Sequence, residues 1–274
     1  MNTKVPEGQI VFLDNSATTR CLPEVVSTVA ACLRAGVGNP SSAQLLGEQA
    51  RVFLRTGRSI LVHLIGRNGD ELIFTSGATE ANNLVINSFA SADLIGQIVT
   101  SSVEHSSVLE PLAHCDSPVT QVTVDQNGRV DLWTLEKALR HPTKLVSVQW
   151  VNSETGVVQP VSDIQRICAE ADVPFHIDAA QAVGRMELNV AGAAIDFLTF
   201  SGHKFHGPQG VGGLFVRNRA LLRPLIRGGA QEYGLRAGTE NVAGIAGMAE
   251  AARLRLESLP EAIAYVRKLD RKSV

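Results

Sequence analysis

One feature restricts the fold more than any other: short apolar runs alternate with amphipathic stretches through about 200 residues, the pattern of an α/β domain. The strand-like runs are Leu72–Thr75, Gln97–Thr100, Val119–Val124, Leu145–Val151, Pro174–Ile177, Phe197–Phe200 and Gly213–Val216. Helix-like segments lie around them at Pro23–Ala35, Ala43–Leu64, Glu80–Ala90, Leu132–Arg140 and Val161–Glu170. Several runs are apolar on both faces, as in Val-Ser-Val-Gln-Trp-Val at 146–151, which suits a mostly parallel central sheet covered by helices on both sides. Val242–Arg271 reads as a long Ala-rich helix interrupted near Pro260. The 24 glycines cluster at 207–213 and 228–238, where backbone must turn tightly or approach a ligand.

Composition narrows the class of protein. Of 274 residues, 45% are apolar and 19% charged, which excludes disordered, collagen-like and low-complexity architectures. Twenty-five basic and 27 acidic residues give a formal charge of −2, so nothing points to nucleic acid as a ligand. No apolar run reaches the roughly 18 residues needed to cross a bilayer, and no membrane partner is expected. Met1–Asp14 lacks a basic start followed by an apolar stretch, so no secretory leader is expected. Cys21, Cys32, Cys115 and Cys168 are scattered with no CxxC pair, which suits a reduced cytoplasm. Cys32 and Cys168 fall on helical segments, where thiols pack as small apolar groups.

In open α/β sheets, ligands sit beyond the carboxyl ends of the strands. After Leu-Ile-Phe-Thr come Ser76-Gly77-Ala78-Thr79-Glu80, small residues and hydroxyls at a helix start that can seat a phosphate. An ordinary helix cap by Ser76 or Thr79 accounts for the same residues. Neither a Walker sequence nor GxGxxG occurs at a strand-to-helix turn, which disfavours nucleotides. After Pro-Phe-His-Ile comes Asp178, a strand-end carboxylate that is costly to bury without a donor or cation. After Asp-Phe-Leu-Thr-Phe come Ser201-Gly202-His203-Lys204, a lysine among small residues whose desolvated amine suits a Schiff base. His203 and His206 form HxxH with no third ligand at a metal-site spacing, so no metal is assigned. A phosphate seat, an imine lysine and a carboxylate for a ring nitrogen together suit pyridoxal 5′-phosphate, and His105 is available for the ring face.

Seven stretches in order carry a family resemblance: Leu13–Thr19, Gly38–Ser42, Phe74–Glu80, Val103–His105, Asp178–Gln181, Ser201–Lys204 and Arg236–Asn241. They resemble the cysteine desulfurases of the class V aminotransferase superfamily, whose large domain has the pyridoxal phosphate fold type I. The resemblance implies that Lys204 binds pyridoxal phosphate covalently, Asp178 pairs with the ring nitrogen and Gln181 bonds the ring hydroxyl. It implies that His105 stacks on the ring and moves protons, and that Ala78, Thr79, Ser201 and His203 hold the phosphate. Thr239 matches a threonine reaching the neighbouring subunit's phosphate, which implies a homodimer. Ser153 stands where the family has the second asparagine of Asn-Asn-Glu.

The activity so implied takes L-cysteine to L-alanine and leaves sulfur as an enzyme persulfide, destined through an acceptor protein for iron–sulfur cluster assembly or thiolation. L-selenocysteine is the alternative substrate, for a selenocysteine lyase or another class V enzyme; a further alternative is a catalytically incomplete, cofactor-binding or dimerising paralogue. Relatives of this kind continue into a small domain with a sulfur-accepting cysteine and a substrate-binding arginine. The sequence stops at Val274 before either, and none of its four cysteines falls in the matching motif. The expected organisation is an N-terminal segment (1–13), a cofactor-binding large domain (14–255) and a helix leading toward an absent small domain (256–274), with impaired activity as the expectation for a truncated chain.

Overall fold

A computed structural model describes residues 11–67, 71–91, 94–188 and 194–270. Its centre is a seven-stranded sheet of β1 (Leu72–Thr75), β2 (Gln97–Ser101), β3 (Val119–Val122), β4 (Thr143–Gln149), β5 (Phe175–Asp178), β6 (Phe197–Ser201) and β7 (Gly212–Val216). The spatial order is β1-β7-β6-β5-β4-β2-β3. β7 is antiparallel to both neighbours and every other pairing is parallel, so six strands point the same way. The carboxyl ends of β1, β2, β4, β5 and β6 therefore open on one edge, and the order reverses between β2 and β4, where a crevice is expected.

Alternation along each strand feeds two cores. Leu72, Phe74, Val146, Val148, Leu198 and Phe200 join one buried cluster with residues of α1 (Pro23–Arg34), α2 (Leu45–Leu64) and α7 (Val242–Asp270). Ile73, Leu145, Phe197, Leu214 and Val216 turn the other way, onto α3 (Ala78–Phe89) and α4 (Ser106–Ala113). α5 (Leu132–Ala138) and α6 (Val161–Glu170) also pack through the first cluster, where Cys32 and Cys168 are buried as small apolar groups. The mostly parallel, doubly covered sheet is the architecture the sequence pattern indicates.

Three local readings are corrected. β4 begins at Thr143, not Leu145, because Lys144 is buried: its ammonium donates to the carbonyls of Ser91 (2.9 Å) and Leu94 (3.0 Å) and to Ser117 Oγ (2.6 Å). The missed helix α4 is eight residues long and contains Pro111, so it shows neither length nor a clean period. The expected interruption at Pro260 is absent: α7 runs unbroken from Val242 to Asp270, since proline removes one N–H donor and a long helix tolerates that loss. The boundary drawn after residue 255 falls inside this helix, and residues 271–274 lie outside the described residues.

A buried ion pair ties the 228–240 region to β1. Arg58 of α2 reaches both Glu232 oxygens, at 2.8 and 3.1 Å, and Glu232 also accepts from Phe74 N at 2.8 Å. Arg58→Ala strands a buried carboxylate and is expected to cost about 3–5 kcal/mol of stability, measured by urea unfolding. A loss under about 1 kcal/mol would mean that solvent reaches Glu232 once the guanidinium is gone.

Candidate active site

A cavity of about 710 Å³ opens at the carboxyl edge of the sheet. It is lined by Ala78, Thr79, His105, Ser153, Asp178, Gln181, Ser201, His203 and Lys204, all singled out from sequence. Thr239 does not line it and is exposed. His203 Nδ1 lies 3.0 Å from Thr18 Oγ1, and His206 Nδ1 3.0 Å from the Arg20 carbonyl. Among the described residues no cluster of three metal-ligating side chains occurs.

The wall at β1 is backbone. β1 ends at Thr75 and α3 starts at Ala78 with no side-chain cap, so its first-turn N–H groups face the cavity. Gly77 sits at φ +157°, which L side chains rarely adopt. A Cβ on Gly212 would stand 2.6 Å from Gly77 Cα, so β7 can approach this turn only as glycine. Glu80 reaches back to Ser76 N at 2.8 Å and pairs with Arg236 at 2.9 Å, which fixes the turn from outside.

The floor is Asp178, the last residue of β5 and only 6% exposed. Its Oδ1 accepts from Ala180 N (3.0 Å) and its Oδ2 from Asn82 Nδ2 (2.7 Å). Burial pushes its carboxyl above the ordinary aspartate value, while those two bonds and the nearby His105 and Lys204 pull it back. Lys204 follows β6 on a single 3₁₀ turn, and its Nζ donates to the carbonyls of Ser16 (2.5 Å) and Ala17 (2.9 Å). Burial, then the charge of Arg185, holds its amine below the ordinary lysine value; Asp178, Asp14 and Glu154 oppose the shift. Arg185 braces this side by donating to the Lys204 carbonyl (2.9 Å), to Gln181 Oε1 (2.7 Å) and to the Asn15 carbonyl. Gln181 Nε2 in turn donates to the Ser16 carbonyl at 2.9 Å.

His105 stands opposite, as the N-cap of α4: its Nδ1 accepts from Ser107 N at 3.1 Å. The next residue back, Glu104, is buried, accepts from Ser101 Oγ and takes Gln149 N at 2.7 Å. Gln149 Nε2 and Asn152 Nδ2 both donate to the Val103 carbonyl, so the loop bearing His105 is pinned to the end of β4. Burial pushes the Glu104 carboxyl from 4.5 up to about 8; the Asp178 charge adds to the rise, and the bonds from Ser101 and Gln149 oppose it. Between those values the folded chain holds a proton that the unfolded chain releases. This group therefore lowers stability as pH climbs from about 4.5 to about 8, by up to about 5 kcal/mol, with no slope outside that window. Glu104→Gln should flatten the dependence and raise stability at pH 8, read from denaturation midpoints at pH 5, 6.5 and 8. An unchanged slope in the variant would place its source elsewhere.

Sequence reasoning missed Asn82, Ser107, Glu104, Gln149 and Arg185. A signal existed for Asn82: it lies one helical turn beyond Ala78, a polar residue among Ala81, Leu84 and Val85 on a buried face. None of the four cysteines lines the cavity. Cys21 opens on a neighbouring apolar groove with Phe12, Val26, Val29 and Pro208. Burial raises its thiol and that of Cys32, and pushes Cys168 up to about 12.

Residues 11–270 match the aminotransferase class-V family. The chain is 42% identical over 264 residues to a cysteine desulfurase IscS of Dictyoglomus turgidum, covering 94% of this chain and 67% of that one. It is 44% identical over 259 residues to a cysteine desulfurase of Bradyrhizobium diazoefficiens, covering 92% and 66%. It thus spans about two thirds of the length of these curated relatives. Among solved structures, a NifS-like protein superposes with a TM-score of 0.91 at 38% identity, over 96% of this chain and 74% of that one. A structure described as SspA in complex with cysteine gives 0.85 at 37%, over 89% and 72%. Matched along nearly all of its length in both sequence and fold, the chain belongs to the aminotransferase class-V family, in its cysteine desulfurase branch.

Proposed function

We propose that the cavity binds pyridoxal 5′-phosphate on Lys204 and takes L-cysteine toward L-alanine, with sulfur leaving as a persulfide for iron–sulfur cluster assembly or thiolation. The observation that carries this reading is the donor set of one cavity: an amine held below its ordinary value, a buried carboxylate and an uncapped helix start at a glycine turn. These residues fit the group: the N–H groups of Ala78 and Thr79, with Ser201 and His203, suit its phosphate, Asp178 its ring nitrogen and Gln181 its ring hydroxyl. Pyridoxal phosphate supplies, when bound, an electron sink for negative charge developing at the substrate's Cα.

The chain's own residues do the rest. Asp178, gripped by two N–H donors, would hold the ring nitrogen with its carboxylate. Lys204, its amine held below the ordinary lysine value, takes and returns the proton at Cα. His105, with Nδ1 engaged, offers Nε2 for proton transfer on the opposite side. Ser153 lines the cavity and offers a hydroxyl to cofactor or substrate. Thr239, exposed and outside its own cavity, serves the neighbouring subunit's phosphate in a homodimer.

Sulfur transfer needs a thiolate on the substrate sulfur: the C–S bond breaks, an S–S bond forms and the released carbon takes a proton. None of the four cysteines borders the cavity, and three have thiols raised by burial, so the sulfur acceptor is a thiol other than these. Orientation accounts for as much as about 10⁵–10⁸ M of effective concentration, so the chain alone should bind cysteine and yet form little alanine. Single-turnover alanine assay with mass spectrometry tests this. A cysteine-induced absorbance change with little alanine is expected. Stoichiometric alanine with a persulfide on Cys21, Cys32, Cys115 or Cys168 would overturn the acceptor assignment, and absence of any cysteine-induced change in the cofactor-loaded chain would overturn the substrate assignment.

A further inference from the structure

Asp178 and His105 are joined by an unbroken chain of short polar contacts. Asn82 Nδ2 lies 2.7 Å from Asp178 Oδ2 and 2.9 Å from Ser107 Oγ, and Ser107 Oγ lies 2.8 Å from His105 Nδ1. Chemistry fixes the direction of each bond. An ionised carboxylate only accepts, so the amide end facing Asp178 is the NH₂, with one hydrogen for Asp178 and one for Ser107. The Ser107 oxygen accepts from Asn82 and turns its own hydrogen toward His105. The Ser107 backbone N–H also points at Nδ1, at 3.1 Å. Receiving donors from both, Nδ1 is bare, and the hydrogen of the neutral imidazole sits on Nε2.

Stability does not explain an asparagine here. Asn82 is 0% exposed, the buried α3 residues around it are Ala81, Val85 and Ile86, and its Oδ1 is buried with no hydrogen-bond partner among the described residues. A buried, unsatisfied carbonyl is a cost that an apolar residue would not carry.

We propose that Asn82 and Ser107 are positioning residues: one amide orients the Asp178 carboxylate and, through the Ser107 hydroxyl, holds His105 as its Nε2–H tautomer. The inference rests on the reading of this site given above, in that Nε2 is the nitrogen left to exchange a proton with substrate. It assigns to two residues outside the cofactor contacts the task of setting the floor and the opposite wall of the cavity together.

The test is ¹⁵N NMR of the full chain labelled at histidine, with and without pyridoxal phosphate, the His105 signals identified by their loss in His105→Gln. In the parent, Nδ1 should resonate as a bare nitrogen and Nε2 as a protonated one. Ser107→Ala and Asn82→Ala should each move Nδ1 toward the averaged position of an imidazole exchanging tautomers. The double variant should move it no further than Ser107→Ala alone, and Ser107→Thr, which keeps a hydroxyl, should restore the parent signal. If Asn82→Ala does not fold, the two Ser107 variants decide. The proposal is overturned if Ser107→Ala leaves Nδ1 at the parent position, or if Ser107→Thr shifts it as far as Ser107→Ala does. Because the tautomer is read without cofactor as well, failure here is distinguishable from failure to bind pyridoxal phosphate.

Discussion

Lys204→Ala should abolish covalent retention of pyridoxal phosphate and lower proton exchange at the Cα of a bound amino acid by about 10²–10⁴-fold. The amine is the only lysine nitrogen at the cavity among the described residues. Its two carbonyl partners, Ser16 and Ala17, come from the stretch before α1, so the loss reaches beyond chemistry to the packing of residues 14–19. Lys204→Arg keeps a donor for those carbonyls and separates the roles: it should retain the fold and still fail to bind the cofactor covalently. Covalent retention by Lys204→Ala, or exchange within a few-fold of the parent, would mean that another amine serves.

Asp178→Asn should retain the shape of the site and lose its function. The amide removes the negative charge proposed to hold the ring nitrogen, and one end of it must set NH₂ against the NH₂ of Asn82 or the N–H of Ala180, each now 2.7 or 3.0 Å away. Breaking a buried ion pair costs about 3–5 kcal/mol, or roughly two to four powers of ten in rate if all of it is felt in the transition state. Deuterium incorporation at Cα of bound L-alanine measures that loss, with cofactor absorbance as the control for binding. Exchange at the parent rate in both Asp178→Asn and Asp178→Ala would reduce Asp178 to a cap on the turn after β5.

The sheet and the residues at its carboxyl edge were legible because each carries a signal of its own. Period-2 burial with both faces apolar marks β1, β4 and β6. A glycine and small residues after β1 mark Ala78 and Thr79, and a lysine amid small residues and glycines marks Lys204. What was not legible depends on contacts between distant segments. Asn82, Ser107 and Asp178 come from α3, α4 and β5, and nothing in one of these stretches indicates the others. Lys144 reads as a strand boundary because it is charged, and only the oxygens around its ammonium reconcile it with burial. Glu104 looks like a surface acid in Val-Glu-His until Gln149 and Ser101 close over it. α4 and the unbroken run of α7 through Pro260 went the other way, with local helix signals weakened by proline and overridden by packing.

Reduction with borohydride after loading with pyridoxal phosphate, followed by peptide mapping, tests the central claim most directly, because it fixes the cofactor to the nitrogen that holds it. The account predicts one equivalent of reduced cofactor on Lys204 and none on Lys4, Lys137, Lys144, Lys268 or Lys272. Label on any of those lysines in place of Lys204, or a loaded chain that yields no labelled peptide, would contradict it.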